Sequence, residues 1–365
     1  MPPPDSARVR VLFLAWQGAR AGMERHLATL VRALPERFTK TVAFLSRGGP
    51  IADELAAEGI PIHVLGMRRS YDPLGALRLL RVVRAGDFAL VHDHSTMAAA
   101  PILALGLARV PLVVTEHLSL AQRRLDQRAS YRLLSRFVDC FIANSNATRS
   151  ELLTLGIPDA KLRLIHHGLL STPHSAFRIP HSALRSTVGF VGRLEPEKGC
   201  RDFVRMASQV AAAVPDARFV IVGDGSQGDR VAADVVAAGL SARVQMLGAV
   251  ADIDRVYPTL DVLVSTSQRE TFGLAILEAM AAGVAVAAFR VGGVTELIAA
   301  GAGESVAAGD VTGLANVVIE LLRDPGRRQA LAARARERVA QRFTATRMAD
   351  EVAQVYDAVV AGRRV

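Results

Sequence analysis

Two carboxylates and a glycine-containing helix start lie close together in the segment Gln268–Gly283. Glu270 precedes the predicted helix, and Glu278 lies eight positions later within it. The first N–H groups of a helix have no intrahelical partner, so the amides of Thr271–Leu274 are expected to bind a diphosphate. The two carboxylates would accept hydrogen bonds from sugar hydroxyls. The alternative for Glu278 is a buried carboxylate with a structural partner, because an unpaired one would be costly.

A second charged loop, Val191–Gly199, follows a strand-like run. It contains Arg193 and Lys198, whose cations would neutralise a diphosphate leaving group where no metal does so. The alternative is a solvated charged loop.

A third turn, Trp16–Glu24, follows the first strand-like run and contains Gly22 at the start of a predicted helix. Backbone N–H groups at such a turn can approach an anion. Taken alone, the turn is equally typical of an ordinary helix start.

Branched apolar runs alternate with amphipathic segments along the chain, which predicts doubly wound parallel sheets of the α/β class. In such sheets, ligands bind beyond the carboxyl ends of the strands, where these three loops lie. The predicted strands are Val9–Ala15, Thr41–Leu45, Pro61–Leu65, Ala89–His92, Pro111–Thr115, Cys140–Ala143, Thr187–Val191, Ala217–Val222, Arg243–Met246, Asp261–Val264 and Val284–Ala288.

A chain of 365 residues exceeds one ordinary core, and the pattern predicts two Rossmann-like domains. The first covers residues 1–170 and the second residues 187–342. Residues 171–186 are rich in Ser, Thr, Pro and His and are interpreted as a linker. A terminal helix over residues 343–361 is expected to pack back on the first domain.

The net charge of +9 is concentrated in the first half, because residues 1–185 carry +10 and residues 186–365 carry −1. This asymmetry favours an anionic partner for the first half, such as a membrane surface, an acidic acceptor or a nucleic acid. An arginine-rich overall composition would explain it equally well. Arginines recurring every fourth residue would form a cationic stripe on a helix that lies on anionic lipid or faces solvent. They are Arg124, Arg128, Arg132 and Arg136.

The longest apolar run, Met97–Ala108, is shorter than the roughly 20 residues that span a bilayer. The N-terminus has no secretory signal pattern, so a cytoplasmic location is expected, with peripheral attachment to the inner face of the membrane. Cys140 and Cys200 form no disulfide framework. An aromatic content of 5% without a stacking motif argues against nucleic-acid binding.

No metal is predicted. His92 and His94 resemble a ligand pair, but no further ligand follows at helical or hairpin spacing. Asp252 and Asp254 imitate a metal-binding Asp-x-Asp pair, but their position favours a helix N-terminus. The turn Gly223–Gly228 matches the G-x-G-x-x-G pattern of nicotinamide and flavin enzymes, but it follows the second strand of its domain and the next strand ends without an acidic residue.

Taken together, these motifs resemble the family 4 retaining glycosyltransferases, whose GT-B fold has two Rossmann-like domains facing a central cleft. The resemblance covers nearly the whole chain. Its second-domain motifs are the more specific ones. They are Gly192-Arg193-Leu194, Glu197-Lys198-Gly199, Glu270 and Glu278 at their spacing, and Gly292-Gly293-Val294 before Glu296; the first domain adds Gly22-Met23-Glu24, His117, Asn144-Ser145 and Ile165-His166-His167-Gly168.

The resemblance implies a role for each matching residue. Arg193 and Lys198 would hold the pyrophosphate, and Glu278 the donor ribose. Glu270, with the amides of Phe272, Gly273 and Leu274, would hold the donor sugar and phosphate. Three residues complete the implied set. Gly22 would let its loop close on the diphosphate, His117 would lie beside the reacting sugar, and the turn at Gly223 would approach the donor base.

The chain departs from the family pattern at three positions. Ala21 precedes Gly22 where the family often has a second glycine, Ala285 replaces a common proline, and His167 replaces the usual asparagine. Ala21 would change how the loop approaches the phosphate, and His167 would change contacts at the hinge or with the acceptor.

The expected function is transfer of a sugar from a nucleotide diphosphate donor to a glycan or lipid-linked acceptor in bacterial surface polysaccharide or lipopolysaccharide synthesis. The resemblance implies retention of anomeric configuration and no metal or other cofactor. Two alternatives stay open at this point: a sugar-nucleotide epimerase on the same scaffold and a nucleic-acid-binding protein.

Overall fold

The structure is a computed structural model that describes residues 8–69, 72–95, 102, 110–119, 125–170 and 186–362. The chain divides into two compact units. The first comprises Met1–Leu170 with Thr344–Val365, and the second comprises Ser171–Phe343. Apart from residue 186, the predicted linker lies outside the described residues.

The first unit contains a seven-stranded parallel sheet with the order β3-β2-β1-β4-β5-β6-β7. Its central strands are almost fully buried because helices cover both faces, which is why they read as continuous apolar runs. The strands are β1 Val9–Gln17, β2 Phe38–Arg47, β3 Ile62–Val64, β4 Leu90–Asp93, β5 Leu112–Glu116, β6 Cys140–Ala143 and β7 Leu162–Leu164.

The terminal helix is part of the first unit's core. Met348, Val352 and Tyr356 lie at helical spacing and pack with Val11 and Phe13 of the central strand. The helix also contacts the first helix of the chain. The helices of this unit are α1 Gly22–Ala33, α2 Pro50–Ala57, α3 Pro73–Gly86, α4 Leu125–Leu134, α5 Asn146–Thr154 and, after the second unit, α12 Ala345–Val360.

The second unit contains a six-stranded parallel sheet with the order β10-β9-β8-β11-β12-β13. Its strands are β8 Thr187–Val191, β9 Arg218–Val222, β10 Val244–Gly248, β11 Val262–Ser265, β12 Ala285–Phe289 and β13 Glu304–Val306. Its helices are α6 Cys200–Ala213, α7 Gly228–Ala237, α8 Leu274–Ala281, α9 Val294–Leu297, α10 Val311–Arg323 and α11 Pro325–Arg342.

Both sheets reverse their strand order next to the first strand, between β1 and β4 and between β8 and β11. A ligand crevice in an open parallel sheet forms at this reversal, beyond the carboxyl ends of the strands. The fold therefore places the loops after β8 and β11 at one such point and the residues after β1 and β4 at the other.

The α/β class and the doubly wound parallel architecture predicted from the sequence are confirmed. Two edge strands, Leu162–Leu164 and Glu304–Val306, were not predicted. Each contains a charged residue, Arg163 or Glu304, that interrupts a run of only three residues, so no apolar run marks the strand. Among the described residues, no helix has the length and apolar character that a membrane span requires.

Candidate functional site

The loop after β8 is held against the end of β11 by a glycine. Gly199 ends a 3₁₀ turn over Pro196–Lys198 with a φ of +63°. A Cβ at this position would lie 2.0 Å from the carbonyl oxygen of Thr266, so only glycine permits the contact. The Thr266 hydroxyl donates to the Gly199 carbonyl at 2.8 Å. This close approach fixes the position of Lys198 relative to the β11 loop.

Lys198 and Glu270 form an ion pair across these two loops. Lys198 Nζ donates to Glu270 Oε2 over 2.5 Å, and their side chains are 22% and 15% exposed. The Glu270 backbone is held as well, because Gly293 N–H donates to its carbonyl oxygen at 3.1 Å. A cation and a carboxylate therefore lie together at the strand-order reversal of the second sheet.

Arg193 points elsewhere. Its guanidinium is 60% exposed and donates to Glu197 Oε1 at 2.7 Å on its own loop. The structure thus does not bring Arg193 to the Lys198–Glu270 pair. Binding of an anion by both cations would require the Arg193–Glu197 contact to open, which costs little at so exposed a pair.

Helix α8 begins at the same edge of the sheet. Gly273 precedes it in the left-handed conformation with a φ of +102°, and Leu274 is the first helical residue. The Phe272 ring is 1% exposed and packs edge-on against Phe343 at 5.9 Å, so the backbone is what Phe272 can present to a ligand. Thr271 is half-buried in the preceding loop. The unpaired amides of the first turn give this end of α8 a partial positive charge.

Glu278 lies one turn further along α8 and is half-buried. It accepts a hydrogen bond at 2.6 Å from the hydroxyl of Tyr257, a side chain that is 1% exposed. The structural partner considered as an alternative for this carboxylate is therefore present. A carboxylate can accept several hydrogen bonds, so Glu278 can accept one from a ribose hydroxyl in addition to the one from Tyr257.

The turn at Gly223 packs on the loop after β8. A Cβ on Gly223 would lie 1.9 Å from the Gly192 carbonyl oxygen. Leu194 N–H donates to the Asp224 carbonyl oxygen at 2.8 Å, and the Ser226 hydroxyl donates to a Glu195 carboxylate oxygen at 2.6 Å. The first two glycines of the G-x-G-x-x-G pattern, Gly223 and Gly225, thus serve close packing between two loops.

In the first unit, His117 belongs to a group of histidines at the carboxyl edge of the sheet. His94 Nδ1 and His117 Nε2 are 3.0 Å apart, and the His26 and His167 rings are 3.8 Å apart between centroids. His94 follows β4, His117 follows β5 and His167 follows β7, whereas His26 lies on α1. His92 occupies the β4 strand itself and contacts the Tyr356 hydroxyl through Nδ1 at 2.5 Å and Thr115 Oγ1 through Nε2 at 2.7 Å.

Burial makes these imidazoles poor bases. It lowers the pKa of His92 to about 3 and that of the partly buried His117 to about 3. Burial, reinforced by the neighbouring histidines, also lowers the pKa of His26, His94 and His167 well below the ordinary value. The group is therefore neutral near pH 7.

Gly22 is the first residue of α1 and follows Ala21, which caps the helix with its backbone only. Two residues on, Glu24 is 2% exposed, and burial raises the pKa of its carboxyl to about 7. An anion approaching this helix start would meet a carboxyl that is largely protonated below neutral pH.

The arginine stripe is interrupted. Helix α4 ends at Leu134, so Arg136 lies in the following 3₁₀ turn, and Arg124 lies outside the described residues. Arg128 and Arg132 remain on one helix. The predicted continuous four-residue stripe does not form because the backbone tightens after Leu134.

Sequence reasoning did not connect His26 and His94 with His117, and it did not identify Tyr257. The histidines belong to different strands and loops, so their sequence separation carries no helical or hairpin period. A usable signal existed: His94 and His117 directly follow consecutive parallel strands, whose carboxyl ends meet at one edge.

Comparisons with known proteins identify the family of the chain. The model of Glycosyl transferases group 1 matches residues 176–338, and that of Glycosyltransferase Family 4 matches residues 20–169. Glycogen synthase of Mycobacterium tuberculosis is 31% identical over 84% of this chain and 74% of its own length. The lipopolysaccharide core biosynthesis mannosyltransferase LpcC of Rhizobium leguminosarum bv. viciae is 34% identical over 73% of this chain and 77% of its own.

Among solved structures, Anabaena Alr3699/HepE in complex with UDP and glucose superposes with a TM-score of 0.84. The two sequences are 26% identical, and the superposition covers 96% of this chain and 100% of the HepE chain. The two family models together match most of the chain, and the class they define is that of the glycosyltransferases. The chain belongs to the family 4 glycosyltransferases.

Proposed function

We propose that the protein transfers a hexose-like sugar from a nucleotide diphosphate sugar to a glycan or lipid-linked acceptor. The observation that carries this proposal is the Lys198–Glu270 pair beside the N-terminus of α8. A diphosphate arriving there takes over Lys198 and the helix amides. Glu270 then loses its lysine partner and accepts hydrogen bonds from the donor sugar. In the free protein, the ion pair thus keeps the Lys198 ammonium and the Glu270 carboxylate in position.

Further contacts would bind the rest of the donor. The half-buried Glu278, oriented by Tyr257, would accept from the ribose hydroxyls. Arg193 would swing from Glu197 onto the pyrophosphate. The turn at Gly223 would lie near the base, and Gly22 would let the first-unit loop approach the diphosphate. HepE, crystallised with UDP-glucose, supports a nucleotide sugar as the donor class.

We infer that transfer retains the anomeric configuration and needs no metal. Lys198, Arg193 and the α8 amides supply the positive charge that a metal would otherwise bring to the leaving diphosphate. The bond between the anomeric carbon and the phosphate oxygen breaks, the acceptor oxygen bonds to that carbon on the same face, and the acceptor proton passes to the leaving phosphate. His117 would lie beside the reacting sugar as a neutral hydrogen-bonding group.

The acceptor class follows from the charge of the first half and from the relatives. The basic excess of residues 1–185 suits a negatively charged glycan, lipid carrier or membrane surface. LpcC acts in lipopolysaccharide core biosynthesis. These features favour surface polysaccharide or lipopolysaccharide synthesis at the inner face of the cytoplasmic membrane.

Helix α3 is the surface that would meet the membrane. Leu74 and Leu77 are 66% and 43% exposed on it, and it also carries Arg81 and Arg84. Apolar side chains flanked by cations are typical of interfacial helices.

The protein should sediment together with anionic liposomes at low salt. Replacing both leucines with serine should release it, whereas Val236→Ser, equally exposed in the second unit, should not. Failure of the unmodified protein to sediment would exclude this attachment.

The test of donor binding is thermal stability with a panel of nucleotide diphosphates and sugar nucleotides, with and without chelator. A ligand that binds only the folded state raises the transition temperature. One base family should give a shift that chelator does not change and that Arg193→Ala reduces. The matched control is Arg255→Ala, an exposed arginine also paired on its own turn. No shift with any nucleotide would overturn the assignment, and ¹H NMR of the product would show its anomeric configuration.

A further inference from the structure

The histidine group of the first unit has the composition of a transition-metal site. We propose that His26, His94 and His117 bind one divalent cation of the zinc class. The proposal concerns the first unit alone and does not rest on the transfer reaction.

The three rings converge from three separate elements. His26 lies on α1, His94 follows β4 and His117 follows β5. One nitrogen of each ring lies within 4.8 Å of a nitrogen of each of the other two, and His94 Nδ1 is 3.0 Å from His117 Nε2. Zinc bonds of about 2.0 to 2.1 Å in a tetrahedron separate ligand nitrogens by roughly 3.3 to 3.4 Å. Small rotations of the side chains reach that geometry without moving the sheet.

Two nitrogens of the three proposed ligand residues have no hydrogen-bond partner among the described protein atoms. They are His26 Nδ1 and His94 Nε2, on side chains that are 5% and 0% exposed. Buried polar groups normally have a partner, because leaving one unpaired costs free energy. A cation that bound His26 Nδ1 or His94 Nε2 would remove part of that cost.

The donor set selects the kind of cation. It consists of three neutral imidazoles, and nitrogen ligands suit zinc, cobalt, nickel and copper rather than magnesium or calcium. The buried acids that adjoin His94 and His117 in the chain are engaged elsewhere. Asp93 accepts from the Ser95 amide and hydroxyl, and Glu116 accepts from Tyr131 and from the Leu118 amide.

The exposure of one histidine and the protonation state of all three also suit a cation. His117 is only partly buried, which leaves a side from which a cation and a completing water can enter. Burial lowers the pKa of all three imidazoles, so no proton has to be displaced near neutral pH.

The experiment is a titration of the full-length, tag-free, chelator-treated protein with Co²⁺, followed by its visible absorption, and with Zn²⁺ in competition. One equivalent of Co²⁺ should develop the intense bands of a four-coordinate site, and one equivalent of Zn²⁺ should abolish them. His26→Gln and His94→Gln should each weaken binding about tenfold or more. His63→Gln removes an exposed histidine from strand β3 and should leave binding unchanged.

X-ray absorption of the zinc-loaded unmodified protein provides a readout that does not depend on how the variants fold. It should show the multiple scattering of three imidazoles. Absence of stoichiometric binding, or a zinc shell without imidazoles, would overturn the proposal. So would equal affinity in folded His26→Gln, His94→Gln and His63→Gln. None of these results would bear on nucleotide binding by the second unit.

Discussion

Lys198 Nζ lies 2.5 Å from Glu270 Oε2, although the two residues are separated by 72 positions in the chain. Their loops follow β8 and β11, which are adjacent in the sheet and mark the reversal of strand order. The pair therefore links two charges to which the family resemblance gives separate roles. Its consequences for binding and turnover can be separated by single substitutions.

Lys198→Ala should weaken nucleotide diphosphate binding about 10- to 100-fold, because one charge-assisted contact to phosphate contributes about 1.5 to 3 kcal/mol. Isothermal titration with the nucleotide identified by thermal shift measures this. The transition temperature should fall too, since Glu270 loses its partner. Undiminished nucleotide affinity in a folded Lys198→Ala protein would show that this lysine is not a phosphate ligand.

Glu270→Gln should lower turnover about 10²- to 10³-fold while the protein stays folded, because the amide keeps the shape and loses the charge. Steady-state transfer kinetics and circular dichroism test this together. The conservative counterpart Glu197→Gln changes a carboxylate that pairs with the exposed Arg193. It should retain most of the activity. Equal activity of Glu270→Gln and the unmodified enzyme would remove Glu270 from the catalytic machinery.

Tyr257→Phe should raise the KM for the donor several-fold with little change in kcat, because Glu278 loses the hydroxyl that orients it. The free energy of unfolding should also fall by about 0.5 to 1.5 kcal/mol. Tyr131→Phe is the matched control, since Tyr131 donates to the buried Glu116 in the first unit. It should show a similar loss of stability without the effect on KM. A parallel KM change in both variants would point to general loosening.

Gly199→Ala should destabilise the second unit by more than about 2 kcal/mol, as its Cβ would meet the Thr266 carbonyl at 2.0 Å. Gly239→Ala is the control: its φ of +68° is nearly the same, but no atom lies within 4 Å of the added Cβ. That variant should lose only about 1 kcal/mol of backbone strain. Denaturant unfolding of both measures the difference, and equal losses would contradict the crowding.

His92 should make the first unit acid-sensitive. Its folded pKa of about 3 lies below the ordinary value of 6.5, so the unfolded chain binds more protons between these two values. Stability contributed by the neutral imidazole is therefore present near pH 7 and is lost as pH falls, by about 2 kcal/mol at pH 5. Glu24, with a pKa raised to about 7, changes stability in the opposite sense over pH 4.5 to 7.

His92→Gln isolates the contribution of His92, since the amide can still contact Tyr356 and Thr115 but does not titrate near pH 5. Unfolding free energies of chelator-treated protein at pH 5 and pH 7 should differ less in this variant. His63→Gln, which removes an exposed histidine, should keep the slope of the unmodified protein. Identical slopes in all three proteins would show that His92 titrates normally.

The amino-acid pattern is enough to predict the α/β class, because strands buried on both faces read as apolar runs and the runs alternate with amphipathic helices. The same pattern identifies the loops that carry Lys198 and Glu270 and the helix that carries Glu278, since turns after parallel strands are where such sheets bind ligands. The edge strand Leu162–Leu164 was not predicted because Arg163 interrupts its short apolar run.

Which charges meet depends on how the chain folds in three dimensions. Nothing in the spacing of Arg193 and Lys198 shows that the first turns toward Glu197 and the second toward Glu270, because side-chain pairing depends on strand order and loop packing. The grouping of the histidines likewise depends on the folded sheet. His26, His94 and His117 are brought together by a sheet whose carboxyl ends meet at one edge, a relation that exists in space and leaves no period in the chain.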